Sequence, residues 1–149
     1  MSTTSGLESG LDTQDRARCA VMARWLGASS APGTMALGAA LVIAFGCVVQ
    51  AWREDAIAIV LLVLVLTPLE RYLALRLRFD AGLFADLADG RIADLAALDA
   101  GLAMLGVRKT PQRPRTLDDR LAGSRRLWRF HAVVAALMAV GTGIAVVFA

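Results

Sequence analysis

The chain is poor in the residues that usually carry chemistry. Its 149 residues include one histidine, His131, two cysteines, one tyrosine and a single lysine. One imidazole cannot supply both axial ligands of a haem, so no cofactor is expected. Cys19 falls in the expected cytoplasmic segment and Cys47 in the outer half of the first expected span, so they cannot meet, and no Cys-x-x-Cys or Cys/His cluster exists. Neither a structural disulfide nor a zinc site follows from them. The sequence has no GxSxG, Walker A or HExxH motif, no glycine-rich phosphate loop and no paired carboxylates in an apolar cleft. The acids Asp86, Asp89, Asp94 and Asp99 do not have EF-hand spacing and read as a solvated face. The chain is therefore expected not to be an enzyme.

The most informative absence is that of charge. Thr34 to Trp52, Ala56 to Leu69 and Ala132 to Ala149 contain no charged residue. The first and third stretches hold 19 and 18 residues, close to the ~20 that cross ~30 Å of hydrocarbon. The second is shorter. It spans if Glu70 and Arg71 snorkel to the headgroups, and Tyr72, Leu73, Leu75 and Leu77 continue it past that pair. A re-entrant or buried helix is the alternative for this stretch. A hydrophobic content of 57% and a mean hydropathy of +0.58 exceed what so short a soluble chain can hide.

What remains is strongly ordered along the chain. Twelve of the sixteen Lys and Arg residues lie between Glu70 and Arg129, and Arg16, Arg18 and Arg24 precede the first apolar run. Only Arg53 lies in the link between the first two runs. Basic residues in short loops mark the cytoplasmic side, which predicts a cytoplasmic amino terminus and a periplasmic carboxyl terminus. Trp25, Trp52, Tyr72 and Trp128 each fall at an expected membrane boundary and read as interfacial anchors. The formal charge of +3 follows from this bias, and no nucleic-acid motif accompanies it, so nucleic acid is not an expected partner.

The leader of 33 residues and the full length of the first run argue against a signal peptide. Ala44-Phe45-Gly46-Cys47 departs from a lipidation motif at Ala44 and Phe45. Fifteen arginines against one lysine, with abundant alanine, resemble the usage of GC-rich bacteria, so a bacterial inner membrane is the expected address.

The expected fold is an all-α membrane protein with three transmembrane helices, an amphipathic cytoplasmic helical hairpin and a short amino-terminal interfacial helix. Residues 1–33 form a tail and the interfacial helix, with Val21, Met22, Trp25 and Leu26 on its apolar face and Gly27 to Gly33 as a break. Spans are expected at 34–52, 56–72 and 129–149, with the hairpin and basic loop at 73–128. Leu73, Leu77, Phe84 and Leu87 predict one amphipathic face, Asp89-Gly90 a turn, and Ile92, Leu95, Leu98, Leu102 and Leu105 a second face ended by Gly106. Pro111 and Pro114 interrupt the next segment, and Thr116 caps a helix that carries Leu117, Leu121 and Leu127 into the third span. Small residues at Ala36, Ala40 and Ala44, and at Ala135, Ala139 and Gly143, predict close packing of the first and third spans or of one of them on a partner.

Two groups of polar residues stand out. Glu70, Arg71, Arg129 and His131 form a candidate polar boundary cluster, to bind a proton, an ion or a headgroup, or simply to anchor helix depth. Arg108, Lys109, Arg113, Arg115, Arg125 and Arg126 are candidate headgroup contacts, or topology determinants without a ligand. The leading functional expectation is a non-enzymatic scaffold or accessory protein that binds a protein partner, or a second copy, through its cytoplasmic helices. The alternatives are an oligomeric transporter or pore component that uses Glu70, and a membrane-anchor subunit of an enzyme complex.

Overall fold

The structure is a computed structural model and describes residues 11–28, 30–49, 54–106 and 115–148. It is all-helical, and three of its helices are long and apolar enough to cross a membrane. The order is α1 (Thr13–Gly27), α2 (Ser30–Val48), α3 (Glu54–Ala88), α4 (Leu95–Met104) and α5 (Leu117–Val147).

Helix α1 starts where Asp12 accepts the Asp15 N–H at 2.6 Å, an N-cap that satisfies one orphan donor. It buries Cys19, Met22 and Leu26, spaced three and four apart, against α3 and α5. The expected face was centred differently. Val21 is 70% exposed, because the buried stripe runs through Cys19 instead. The expected break also shrinks. Helix α2 starts at Ser30, since Pro32 falls in a first turn where its missing N–H is not needed.

Helix α3 is the axis of the molecule and packs on α1, α2 and α5. Its 35 residues measure about 52 Å, so the second apolar run and the amphipathic run after it are one rod. Pro68 lies inside it, and the neighbouring Thr67 hydroxyl donates to the Val63 carbonyl at 2.9 Å. Ala56, Val63, Glu70, Leu77 and Phe84 recur at every seventh residue and are all buried. Helix α5 has the matching stripe: Leu117, Ser124, His131, Met138 and Ala145. Two antiparallel helices with seven-residue stripes pack in a coiled-coil-like seam, and the polar members must then find each other. They do. His131 meets Glu70, Ser124 meets Asp80, and Gly141 meets Val63, a register that steps in opposite directions along the two chains.

Leu73, Leu77, Phe84 and Leu87 are buried, and α3 ends in a turn where Gly90 has φ +74°. Asp94 then caps α4 by accepting the Ala97 N–H at 2.7 Å. Leu98 and Leu102 of α4 complete a core with Cys19, Met22, Leu26, Leu117 and Leu121, while Leu105 is exposed beyond the helix end. Gly106 follows with φ +65°. Thr116 and Asp119 form a reciprocal capping box, and α5 then runs unbroken to Val147.

In the apolar half, Ala36, Ala40 and Ile43 of α2 pack with Val134, Ala135 and Met138 of α5. The expected small-residue ridges hold only at that level. Ala44 and Gly143 are exposed, and it is Gly141 that admits close approach, to α3 rather than α2. The buried α5 face runs through Met138, Thr142 and Ala145, which turns Gly143 outward.

Candidate functional site

Glu70 is fully buried at the level where the apolar halves of α3 and α5 give way to their charged ends, beside the first turn of the uncharged α2. The heptad stripe of α3 points it at α5, whose own stripe points His131 back. His131 Nε2 lies 2.9 Å from Glu70 Oε1, and His131 is fully buried too. Arg71 Nε donates to Glu70 Oε2 at 2.6 Å, and Arg71 Nη2 donates to the Gly33 carbonyl in the first turn of α2 at 2.6 Å. A carbonyl has two lone pairs, so Gly33 can serve Arg71 as well as its own helix.

The arginine is charged at any ordinary pH, and the carboxylate beside it acts as acceptor. His131 therefore donates through its Nε2–H, which leaves Nδ1 as a buried nitrogen with no hydrogen-bond partner. Three helices are thus joined by one carboxylate and one guanidinium.

Arg129 is not in this cluster. It is two residues from His131, roughly 200° round the helix, and lies exposed. Among the described residues no group of three His, Cys, Asp or Glu side chains is placed to hold a metal.

The candidate headgroup contacts fall in several places. Arg108, Lys109 and Arg113 lie outside the described residues, as does Trp52. Arg126 is exposed. Arg125 is exposed at a groove between α1 and α5, with its Nε donating to the Leu121 carbonyl at 3.4 Å. Arg115, also exposed, lines a half-open cavity of about 340 Å³ between α3, α4 and α5.

Of the anchors, Tyr72 is exposed, whereas Trp25 and Trp128 pack on each other with ring centroids 4.6 Å apart. The sequence placed both tryptophans at one boundary but not in contact.

Several polar contacts had no separate signal in the sequence. Arg120 Nη2 donates to Asp99 at 2.6 Å, tying α5 to α4 with both side chains largely buried. Asp80 accepts the Ser124 hydroxyl at 3.2 Å and faces Arg76 Nε at 3.7 Å. Asp99 is therefore no part of a solvated face, and Asp94 is a cap. Only Asp86 and Asp89 keep that role, pairing with Arg91.

Helix α1 is tied down by charge as well as by its core residues. Arg18 donates to Asp118 of α5 and to Asp15 of its own helix, and the hydrogen bond it gives Asp118 is the main reason its guanidinium holds its proton more tightly than usual. The Arg16 guanidinium lies over Gly90. Burial pushes the Cys19 thiol up, with the Asp15 charge adding to the effect.

No protein-family model, curated protein or solved structure matches this chain.

Proposed function

We propose that this is a multi-pass protein of a bacterial inner membrane, with a cytoplasmic amino terminus and a periplasmic carboxyl terminus, acting as a non-enzymatic scaffold or accessory protein. Its working part is a cytoplasmic cap made of α1, the second half of α3, α4 and the start of α5. The observation that supports this most is the core of that cap. Residues from four separate helices, among them Cys19, Leu26, Leu87, Leu102 and Leu121, close into one cluster. A connector between two spans has no need of such a core, because ordering a loop costs conformational entropy that only burial offsets.

The cap consumes its leucine seam internally, so a partner meets its outer surface. Met104 and Leu105, 89% and 71% exposed at the end of α4, are apolar groups offered there. The partly exposed Val21 and Trp25 of α1 suit the headgroup layer beside the cap, which is how the expected interfacial helix fits this reading. The Glu70 cluster supports an anchor in preference to a transport path, since Glu70 and His131 bond each other and neither is accessible.

The test is in vivo crosslinking from residues 104 and 105 with recovery in mild detergent, alongside deletion of 92–106. A specific crosslinked partner, lost on deletion together with a growth or assembly defect, supports the scaffold. Recovery of the chain alone, with a silent deletion, ends it.

A further inference from the structure

The cavity between α3, α4 and α5 is shaped and charged for a ligand. Along α3 its wall runs from Tyr72 to Leu87, fifteen residues or roughly 22 Å. Along α5 it runs from Leu127 to Arg115. At about 340 Å³ it falls in the usual range for small-molecule sites, ~300–1,000 Å³. Helix α4 lines one side of it with Leu98 and Leu102 and leaves it half open. Phe79, Leu83, Leu98 and Leu127 make it apolar for most of its length.

The charges that line it are unequal in their needs. Arg76, one turn from Tyr72, has Asp80, and at the far end Asp119 is occupied by the Thr116 cap. Arg120 is 10% exposed and gives one nitrogen to Asp99, but its buried Nε–H has no partner. Arg115 at the rim has no carboxylate partner among the described residues. A buried donor left unpaired costs free energy that an incoming oxygen recovers. The site therefore asks for an acidic oxygen near Arg115 and Arg120 and an apolar chain running from there toward Tyr72.

We propose that this cavity binds one single-chain anionic amphiphile, an acyl chain carrying a carboxylate or phosphate head. The head sits against Arg115 and Arg120, and the chain runs along Phe79 and Leu127 toward the bilayer, the same way up as a lipid of the adjoining leaflet. The proposal rests on the membrane reading of the three long helices and not on any protein partner.

The full chain in phosphatidylcholine nanodiscs is titrated with oleate, lysophosphatidic acid, lysophosphatidylcholine and inorganic phosphate, with binding followed by native mass spectrometry. Oleate and lysophosphatidic acid are expected to bind one per chain and more tightly than lysophosphatidylcholine. Preference for lysophosphatidic acid over oleate points to a membrane lipid as the source, and the reverse to a free fatty acid. Arg115→Gln, at an exposed position, is expected to weaken both acidic ligands by about fivefold. Gly123→Leu fills the cavity from a helix position where an added Cβ meets nothing within 4 Å. It is expected to abolish binding while the thermal midpoint holds or rises. Equal binding of lysophosphatidylcholine, displacement by phosphate alone, or full binding by Gly123→Leu each overturns the proposal.

Discussion

The His131 ring nitrogen and the Glu70 carboxylate meet at 2.9 Å across 61 residues of sequence, at the midpoint of the α3–α5 seam. Both occupy seven-residue stripe positions that are otherwise mostly apolar, so the pair fits only one register of the two helices. A one-turn slip would bury His131 and Glu70 each against an apolar neighbour. The pair thus selects a register as much as it stabilises one.

Removing both partners should cost less than the two single removals added together. Glu70→Leu leaves the buried His131 N–H without an acceptor, a penalty of about 1–3 kcal/mol. His131→Leu leaves a buried carboxylate with Arg71 alone, and breaking a buried pair in this way costs about 3–5 kcal/mol. The double substitution is expected to be less harmful than the sum, and Glu70→Gln milder than Glu70→Leu. Thermal midpoints of the purified chain in one detergent measure all four. Strict additivity would show that the pair carries no coupling.

The seven-residue stripes also show what was legible in the sequence. Leu73, Leu77, Phe84, Leu87, the turn at Gly90 and the cap at Thr116 could be read because local periodicity and capping chemistry determine them. Glu70 and His131 were singled out together because ionisable residues at a membrane boundary are costly. Their clustering was legible, but not their direct bond or the exclusion of Arg129, nor Arg120 with Asp99 or Trp25 with Trp128, since each depends on which faces of separate helices meet. The 56–63–70–77–84 repeat was present all along, but Glu70 interrupts its hydrophobic pattern and hid it. The buried face of α1 differs from the expected one for a related reason: Cys19, a lone thiol in the sequence, is a core residue.

Cys19 therefore reports on the docking of α1. In a Cys47→Ala background, the native chain is expected to react with maleimide only slowly at neutral pH and fully once unfolded, because the thiol is buried and its proton is held. Burial raises the thiol in the folded chain only, so the folded state binds that proton more tightly. The resulting stability is complete below the ordinary thiol range and is lost as pH rises through the raised folded value. Thermal midpoints between neutral and alkaline pH should thus fall more steeply for this chain than for one that also carries Cys19→Ala. Parallel curves would place Cys19 outside the core.

The close approach of α5 to α3 gives a contrast within one turn. A Cβ on Gly141 would lie 3.1 Å from Val63 Cγ2 and 3.6 Å from Ile59 Cγ2, whereas Gly143 has nothing within 4 Å. Gly141→Val should overpack this contact at a cost of about 1–3 kcal/mol. Gly143→Ala should be neutral or slightly stabilising. Urea or heat denaturation in detergent distinguishes them, and equal effects would refute this α3–α5 packing.

A second contrast concerns the two turns flanking α4. Gly90 and Gly106 both have positive φ, but among the described residues only Gly90 lies under a side chain, with Arg16 Nη1 2.6 Å from where a Cβ would sit. Gly106→Ala should cost the backbone term alone, about 1–2 kcal/mol. Gly90→Ala should cost that and also displace Arg16, loosening α1. Maleimide reactivity at Cys19 should rise in Gly90→Ala and stay low in Gly106→Ala.

The orientation of the whole chain can be tested with three fusions. Fifteen of the sixteen basic residues fall in segments assigned to the cytoplasmic side, leaving Arg53 alone on the other. Because short-loop lysines and arginines resist translocation, this imbalance should hold the chain one way round. A reporter active only in the periplasm is expected to be active at Arg53 and Ala149 and silent at Pro111, and a cytoplasmic reporter should give the mirror pattern. The cap then lies where anionic lipid of the inner leaflet can reach Arg115. Activity of the periplasmic reporter at Pro111 would invert the topology, place the cap outside, and remove both the scaffold reading and the leaflet assigned to the amphiphile.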